Sequence, residues 1–277
     1  MKINIHPAAA IILVLILTVI DFSTYNVSVI LGILSFILAV FIFSGNADKL
    51  KKYIYYFVPY AVLTILINLI FVSEGSHVIF QISGKKFTLE SLAYALIMSL
   101  KLLNVIYIFP LFGVLVDSDD LVSFFSSIAP KSTLTLLISA KIIPRLKKRY
   151  ESIREVFSLR GVDFSKKRKR DMIKGFLPVI ASLTEDTLEG SFEIGEAAFI
   201  RGYLGNKRTV YEKKKLDTKD YIILLLSLVL IIFFTWCSMN DYIYFDIYSG
   251  LRLNSFFNMY VSINVIIMLI ISVVIVF

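Results

Sequence analysis

Two stretches of this 277-residue chain set the same chemically capable side chains in the same order, EVFSLRGVDFSKK and EAAFIRGYLGNKR. In register, Glu155 matches Glu196, Leu159 matches Ile200, Arg160-Gly161 matches Arg201-Gly202, and Lys166-Lys167 matches Lys207-Arg208. Arginine stays charged and presents a planar fork of donors that can grip a carboxylate through two hydrogen bonds. Glycine after the last turn of a helix takes the left-handed conformation that closes it, and a cation there suits the negative end of the helix dipole. One Arg-Gly pair alone reads as an ordinary helix cap. Two in register read as two plugs for two similar acidic sockets.

The other reactive groups narrow the chemistry. The single cysteine, Cys237, lies inside an apolar run, so neither a disulfide framework nor a Cys-x-x-Cys site can form. His6 and His77 stand far apart without a Glu-x-x-His partner, so no metal site or cofactor is expected. There is no Gly-x-x-x-x-Gly-Lys-Ser/Thr, so the chain does not hydrolyse nucleotide by the P-loop route, and a partner must supply its energy.

The elements that position the two endings follow from composition. The chain is 57% hydrophobic with mean hydropathy +0.79, above the roughly 45–50% apolar content of soluble domains. It reads as an all-α membrane protein. Apolar runs at Ala8–Ile20, Val27–Phe43, Tyr53–Val72, Leu89–Val116, Tyr221–Met239 and Phe256–Phe277 give about six transmembrane helices, the first two short or tilted. The expected division is 1–117 for the amino-terminal membrane helices, 118–219 for an inserted coupling region, and 220–277 for the last two crossings.

Charge sets the orientation. Lys131 to Lys219 holds 21 Lys and Arg against 11 Asp and Glu, an excess of ten in a chain whose total is +8. Basic loops stay inside, so this region is expected to be cytoplasmic, as are Lys49, Lys51 and Lys52; Lys85 and Lys86 vote weakly the other way. The region reads as two long amphipathic helices. Leu146, Tyr150, Ile153 and Phe157 form the apolar face of the first, which ends at Arg160-Gly161. Ile173, Leu177, Ile180, Leu188 and Phe192 form that of the second, which ends at Arg201-Gly202, with Asp186, Glu189, Glu193 and Glu196 as an acidic stripe. Pro144 and Pro178 are expected early in these helices, where each would start or kink one. Gly190 and Gly195 are expected to permit close helix crossing.

These residues carry a family resemblance over nearly the whole chain. SAKIIPRLKKRYESIREVFSLRGVD and EAAFIRGY resemble the two Ala-Arg-Gly helix ends of the transmembrane T component of energy-coupling factor transporters. Weaker echoes are IHPAAAIILVL, SLKLLNVIYIF and LVDSDDLVSFF. Leu159 and Ile200 stand where that family has alanine, and Lys141 where arginine is usual. The resemblance implies a non-catalytic coupling subunit in the cell membrane. It joins two ATP-binding-cassette ATPases to a small substrate-binding membrane subunit, the S component, for uptake of a vitamin or metal ion. Arg160 and Arg201 would dock the ATPases, with Gly161 and Gly202 as closers and Glu155, Glu196, Pro144, Leu159 and Ile200 in support.

Other readings stay beside this one. A permease subunit of a conventional ATP-binding-cassette importer would usually present one coupling helix. A membrane-embedded enzyme on lipid-linked substrate would need clustered Asp, Glu or His, which the apolar runs lack. The cluster Lys166 to Arg170 reads as a solvated run or a contact to anionic membrane lipid, with an ATPase contact as a further alternative, and not as a nucleic-acid site. Lys101 and Asn104 stand inside the fourth run, so either the lysine faces the bundle interior or the helix bends near Pro110 and lies shallower.

Overall fold

The computed structural model describes residues 4–71, 78–82, 85–162, 164, 169–203, 215–243 and 258–276. The described residues form helices α1 (Pro7–Ser23), α2 (Val27–Phe43), α3 (Ala47–Phe71), α4 (Leu89–Leu115), α5 (Ser118–Ile128), α6 (Pro130–Leu159), α7 (Lys169–Ile200), α8 (Thr218–Met239) and α9 (Met259–Val276). Strands β1 (Val78–Ile82) and β2 (Lys85–Thr88) pair antiparallel between α3 and α4. This hairpin corrects the purely helical expectation. Two short runs rich in Val, Ile, Phe and Thr around Ser-Gly carry a hairpin signal.

The chain divides into two compact units, residues 1–124 with 214–277, and residues 125–213. In the first, α3, α4, α8 and α9 are each long and apolar enough to cross a membrane. At 17 residues, α1 and α2 span about 25 Å at 1.5 Å per residue. The protein is a multi-pass membrane protein. These two helices are well enclosed, with Leu13, Leu17, Ile20, Ile33, Phe36 and Phe41 fully buried. By contrast α3 is exposed along most of its length, as suits a helix facing lipid.

Local chemistry starts each helix where it does. Pro7 follows the His6 cap, whose Nδ1 accepts from the Ala8 amide, and Asn26 and Thr88 accept from the Ser28 and Ser91 amides to open α2 and α4. Packing then fixes direction. The Ile5 amide donates to the Leu115 carbonyl at the end of α4 across 3.0 Å, and the His6 amide donates to Asp220 Oδ1 in the first turn of α8 across 2.9 Å. The start of α1, the end of α4 and the start of α8 therefore share one end of this unit. Tyr107, late in α4, donates to the Leu50 carbonyl, early in α3, so these two run antiparallel. Near the starts of α2 and α9, Gly32 faces Val265 so closely that an added Cβ would lie 2.7 Å from Val265 Cγ2.

Lys101 faces the interior, the first of the two alternatives. Its Nζ donates to the Phe22 carbonyl across 3.2 Å and lies 4.1 Å from the centre of the Tyr25 ring. Asn104 donates to Asp21 Oδ1 across 2.8 Å and to the Ile30 carbonyl across 3.1 Å. Asp21 and Asn104 are fully buried. This polar knot joins α1, α2 and α4.

Candidate functional site: two matched helix ends

In the second unit α6 and α7 pack on each other and are clasped by Arg149, whose Nε donates to Asp186 Oδ2 across 3.0 Å and whose Nη2 reaches Oδ1. The predicted face of α6 holds: Leu146, Tyr150, Ile153 and Phe157 are half-buried while Lys147, Lys148, Glu151, Arg154 and Glu155 are exposed. On α7 the outcome differs. Val179 is buried, and Leu183, Thr187, Gly190 and Ile194 are half-buried, whereas the expected apolar face is exposed, from 55% at Ile180 to 77% at Phe192. Helix α7 thus carries one face that packs and a second apolar stripe, Ile173 to Phe192, with no cover among the described residues. The acidic stripe is shared out, Asp186 pairing with Arg149 while Glu189, Glu193 and Glu196 stay exposed. A cleft of about 440 Å³ beside the clasp is lined by Arg145, Leu146, Gly190 and Glu193 among others.

Two expectations need correction. Pro144 stands midway along α6, which begins at Pro130, because Pro130 at the first helical position already starts the helix. Pro144 therefore acts inside the helix, where its missing N–H leaves the Ala140 carbonyl without its usual donor. Pro178 falls inside α7 in its first third, early in the helix as expected. Gly190 and Gly195 permit no close crossing, since an added Cβ at either would meet nothing within 4 Å.

Both Arg-Gly endings close in the same way. At the first, the Gly161 amide donates to the Ser158 carbonyl (3.0 Å) and Val162 to Phe157 (3.1 Å); at the second, Gly202 donates to Phe199 (2.9 Å) and Tyr203 to Ala198 (2.9 Å). This crossed pair of bonds is the Schellman motif, and it places the arginine on the helix cap and the glycine just beyond it. The glycines take φ of +88° and +73°, values a side chain disfavours. Among the described residues an added Cβ at either would meet nothing within 4 Å, so backbone conformation and not crowding by them requires glycine.

The arginines are presented outward. Arg160 and Arg201 are exposed, and neither makes an ion pair among the described residues; Arg160 Cζ lies 5.6 Å from the Phe157 ring centre. The preceding Leu159 and Ile200 are 89% and 75% exposed. Each tip thus offers an unpaired guanidinium beside an uncovered aliphatic side chain. Glu155 and Glu196 are exposed on the turn before each tip. The basic pairs Lys166-Lys167 and Lys207-Arg208, and the side chains of the whole Lys166 to Arg170 cluster, lie outside the described residues, as do His77, Asp246 and Arg252.

The sequence pattern did not reveal α5 or a set of contacts at the two points where the segment between α4 and α8 begins and ends. Asp220 is buried and accepts from the His6 amide through Oδ1 and the Asp217 amide through Oδ2, both at 2.9 Å. The pattern Asp-x-x-Asp before an apolar run signals a helix start of this kind. Its long-range bond to His6 has no sequence signature.

Comparison with known proteins agrees with this arrangement. A family model described as CbiQ, cobalt transport protein, matches residues 2–211. The chain is similar to proteins named energy-coupling factor transporter transmembrane protein EcfT. The one from Exiguobacterium sibiricum is 27% identical over 180 residues, 61% of this chain and 68% of that protein. The one from Bacillus subtilis is 27% identical over 184 residues (62% and 69%), and the one from Staphylococcus aureus 24% identical over 174 residues (59% and 65%). These alignments span about two thirds of each relative. Because the family match takes in both helix ends and most of the chain, the chain belongs to the CbiQ family of cobalt transport proteins.

Proposed function

We propose that this chain is the transmembrane coupling subunit of an energy-coupling factor importer. It carries ATP-driven motion from two ATPase subunits to a small membrane subunit that captures a micronutrient, and it performs no chemistry itself. Residues 118–219 form the cytoplasmic coupling region between membrane parts 1–117 and 220–277, with six helices crossing the bilayer. Arg160-Gly161 and Arg201-Gly202 each seat in one ATPase, in a groove that offers carboxylates to the guanidinium and an apolar floor to Leu159 or Ile200. Glu155 and Glu196 flank the two contacts. The uncovered stripe of α7 faces the capture subunit, whose apolar surface would complete its burial.

The observation that supports this reading best is the duplication itself: two helix ends closed by the same bonds, each exposing an unpaired arginine. A helix cap needs no arginine, and one that serves only its own helix has no reason to recur with the same aliphatic neighbour. Affinity isolation of the tagged chain from native membranes tests the assembly. Two ATP-binding-cassette subunits and one small hydrophobic protein are expected. Isolation with a second permease and a soluble binding protein instead would point to a conventional importer and refute the proposal.

A further inference from the structure

A coupling subunit must keep its bundle attached to the two points where the chain leaves for the coupling region and returns from it. Those points are Leu115, the last residue of α4, and Asp220, in the first turn of α8. The amides of two consecutive residues hold them: Ile5 donates to the Leu115 carbonyl and His6 to Asp220 Oδ1. Asp220 then uses Oδ2 to accept from Asp217, the residue that opens α8. The ring of His6 packs edge-on against Phe124 of α5, centres 5.7 Å apart. Ile5, His6, Leu115 and Asp220 are all buried.

Resting on the coupling reading above, we infer that Asp220 is a positioning residue for energy transfer. Its carboxylate fastens the returning strand of the coupling region to the start of α1. Hydrogen bonds to an ionised carboxylate are about twice as strong as neutral ones, and this one is withdrawn from water. Displacement at the returning end therefore reaches α1 through Asp220, both of whose oxygens sit on backbone amides, while the Ile5–Leu115 bond holds the leaving end. Without it α8 would keep its helix but lose this bond to α1, and the motion would be spent in slippage.

The test uses the complex with its ATPases reconstituted in lipid vesicles. A solvatochromic label goes on Leu15→Cys, exposed on α1, or on Thr184→Cys, exposed on α7 as a control; native Cys237 is buried. Trapping the ATPases with ADP and vanadate is expected to shift the emission at both sites in the parent chain. Asp220→Ala is expected to leave ATP hydrolysis and the Thr184 shift in place and to lose the Leu15 shift. Asp220→Asn, with one acceptor oxygen instead of two, gives a partial shift and decides the matter if the alanine variant does not assemble. A disulfide between Ile5→Cys and Leu115→Cys restores the Leu15 signal in Asp220→Ala on oxidation. A full Leu15 shift in both Asp220 variants overturns the inference. Silence at Thr184 in the parent chain would instead overturn the coupling reading itself.

Discussion

The His6 amide donates to the Asp220 carboxylate across 2.9 Å, joining residues 214 apart in the chain. The bond brings the start of α1 to the start of α8, and the neighbouring Ile5–Leu115 bond brings the end of α4 to the same place. The chain therefore leaves this unit and returns to it at one end, a requirement for any inserted segment that lies on one side of a membrane.

That geometry predicts the result of topology mapping. An exposed residue of α6, Ser158→Cys, should resist an impermeant maleimide applied to intact cells and react once the membrane is opened. Labelling from outside would contradict the cytoplasmic placement.

The left-handed glycines predict a graded response. Gly161→Ala or Gly202→Ala should cost about 1–2 kcal/mol at that helix end, because the penalty is backbone strain in open space. Asparagine should be tolerated better than alanine, and valine worse than both. Melting of the detergent-solubilised protein, with ATPase co-purification as a second readout, checks the order. Equal behaviour of all three substitutions would show that the φ constraint is unimportant.

The Asp21–Asn104–Lys101 knot predicts strong non-additivity. Lys101→Met alone removes the donor to the Phe22 carbonyl and the positive charge that favours the buried Asp21 carboxylate, and should cost about 1–3 kcal/mol. Asp21→Asn with Lys101→Met should recover most of that loss, since no buried charge then stands uncompensated. Thermal unfolding of the single and double variants measures the coupling, and simple addition of the two effects would argue against the knot.

Contact between α2 and α9 predicts a steric effect. Gly32→Ala places a methyl group 2.7 Å from Val265 Cγ2, an overpacking of about 1–3 kcal/mol. Val265→Ala should relieve it in the double variant. A neutral Gly32→Ala on its own would mean that these helices separate easily.

How much of this was legible in the sequence depends on the range of the interaction. Apolar run length located the six apolar helices to within a few residues, since a membrane segment is specified by its own composition. The paired endings were legible for the same reason: a Schellman cap is made within six residues, and glycine is its local signature. What the sequence hid was non-local. Periodicity found an apolar stripe on α7 but could not say that a different face, with Val179, Leu183 and Ile194, is the more buried one. Nor could it show that a mid-helix Lys101 meets the carbonyl of Phe22, or that Asp220 meets His6.

In the proposed assembly two arginine-tipped helix ends each hold one ATPase. Stoichiometry of the purified complex, by native mass spectrometry of the parent chain, Arg160→Glu, Arg201→Glu and the double variant, measures it directly. Two ATPases are expected for the parent, one for each single variant and none for the double, with membrane insertion unchanged throughout. Two ATPases retained by the double variant would contradict it.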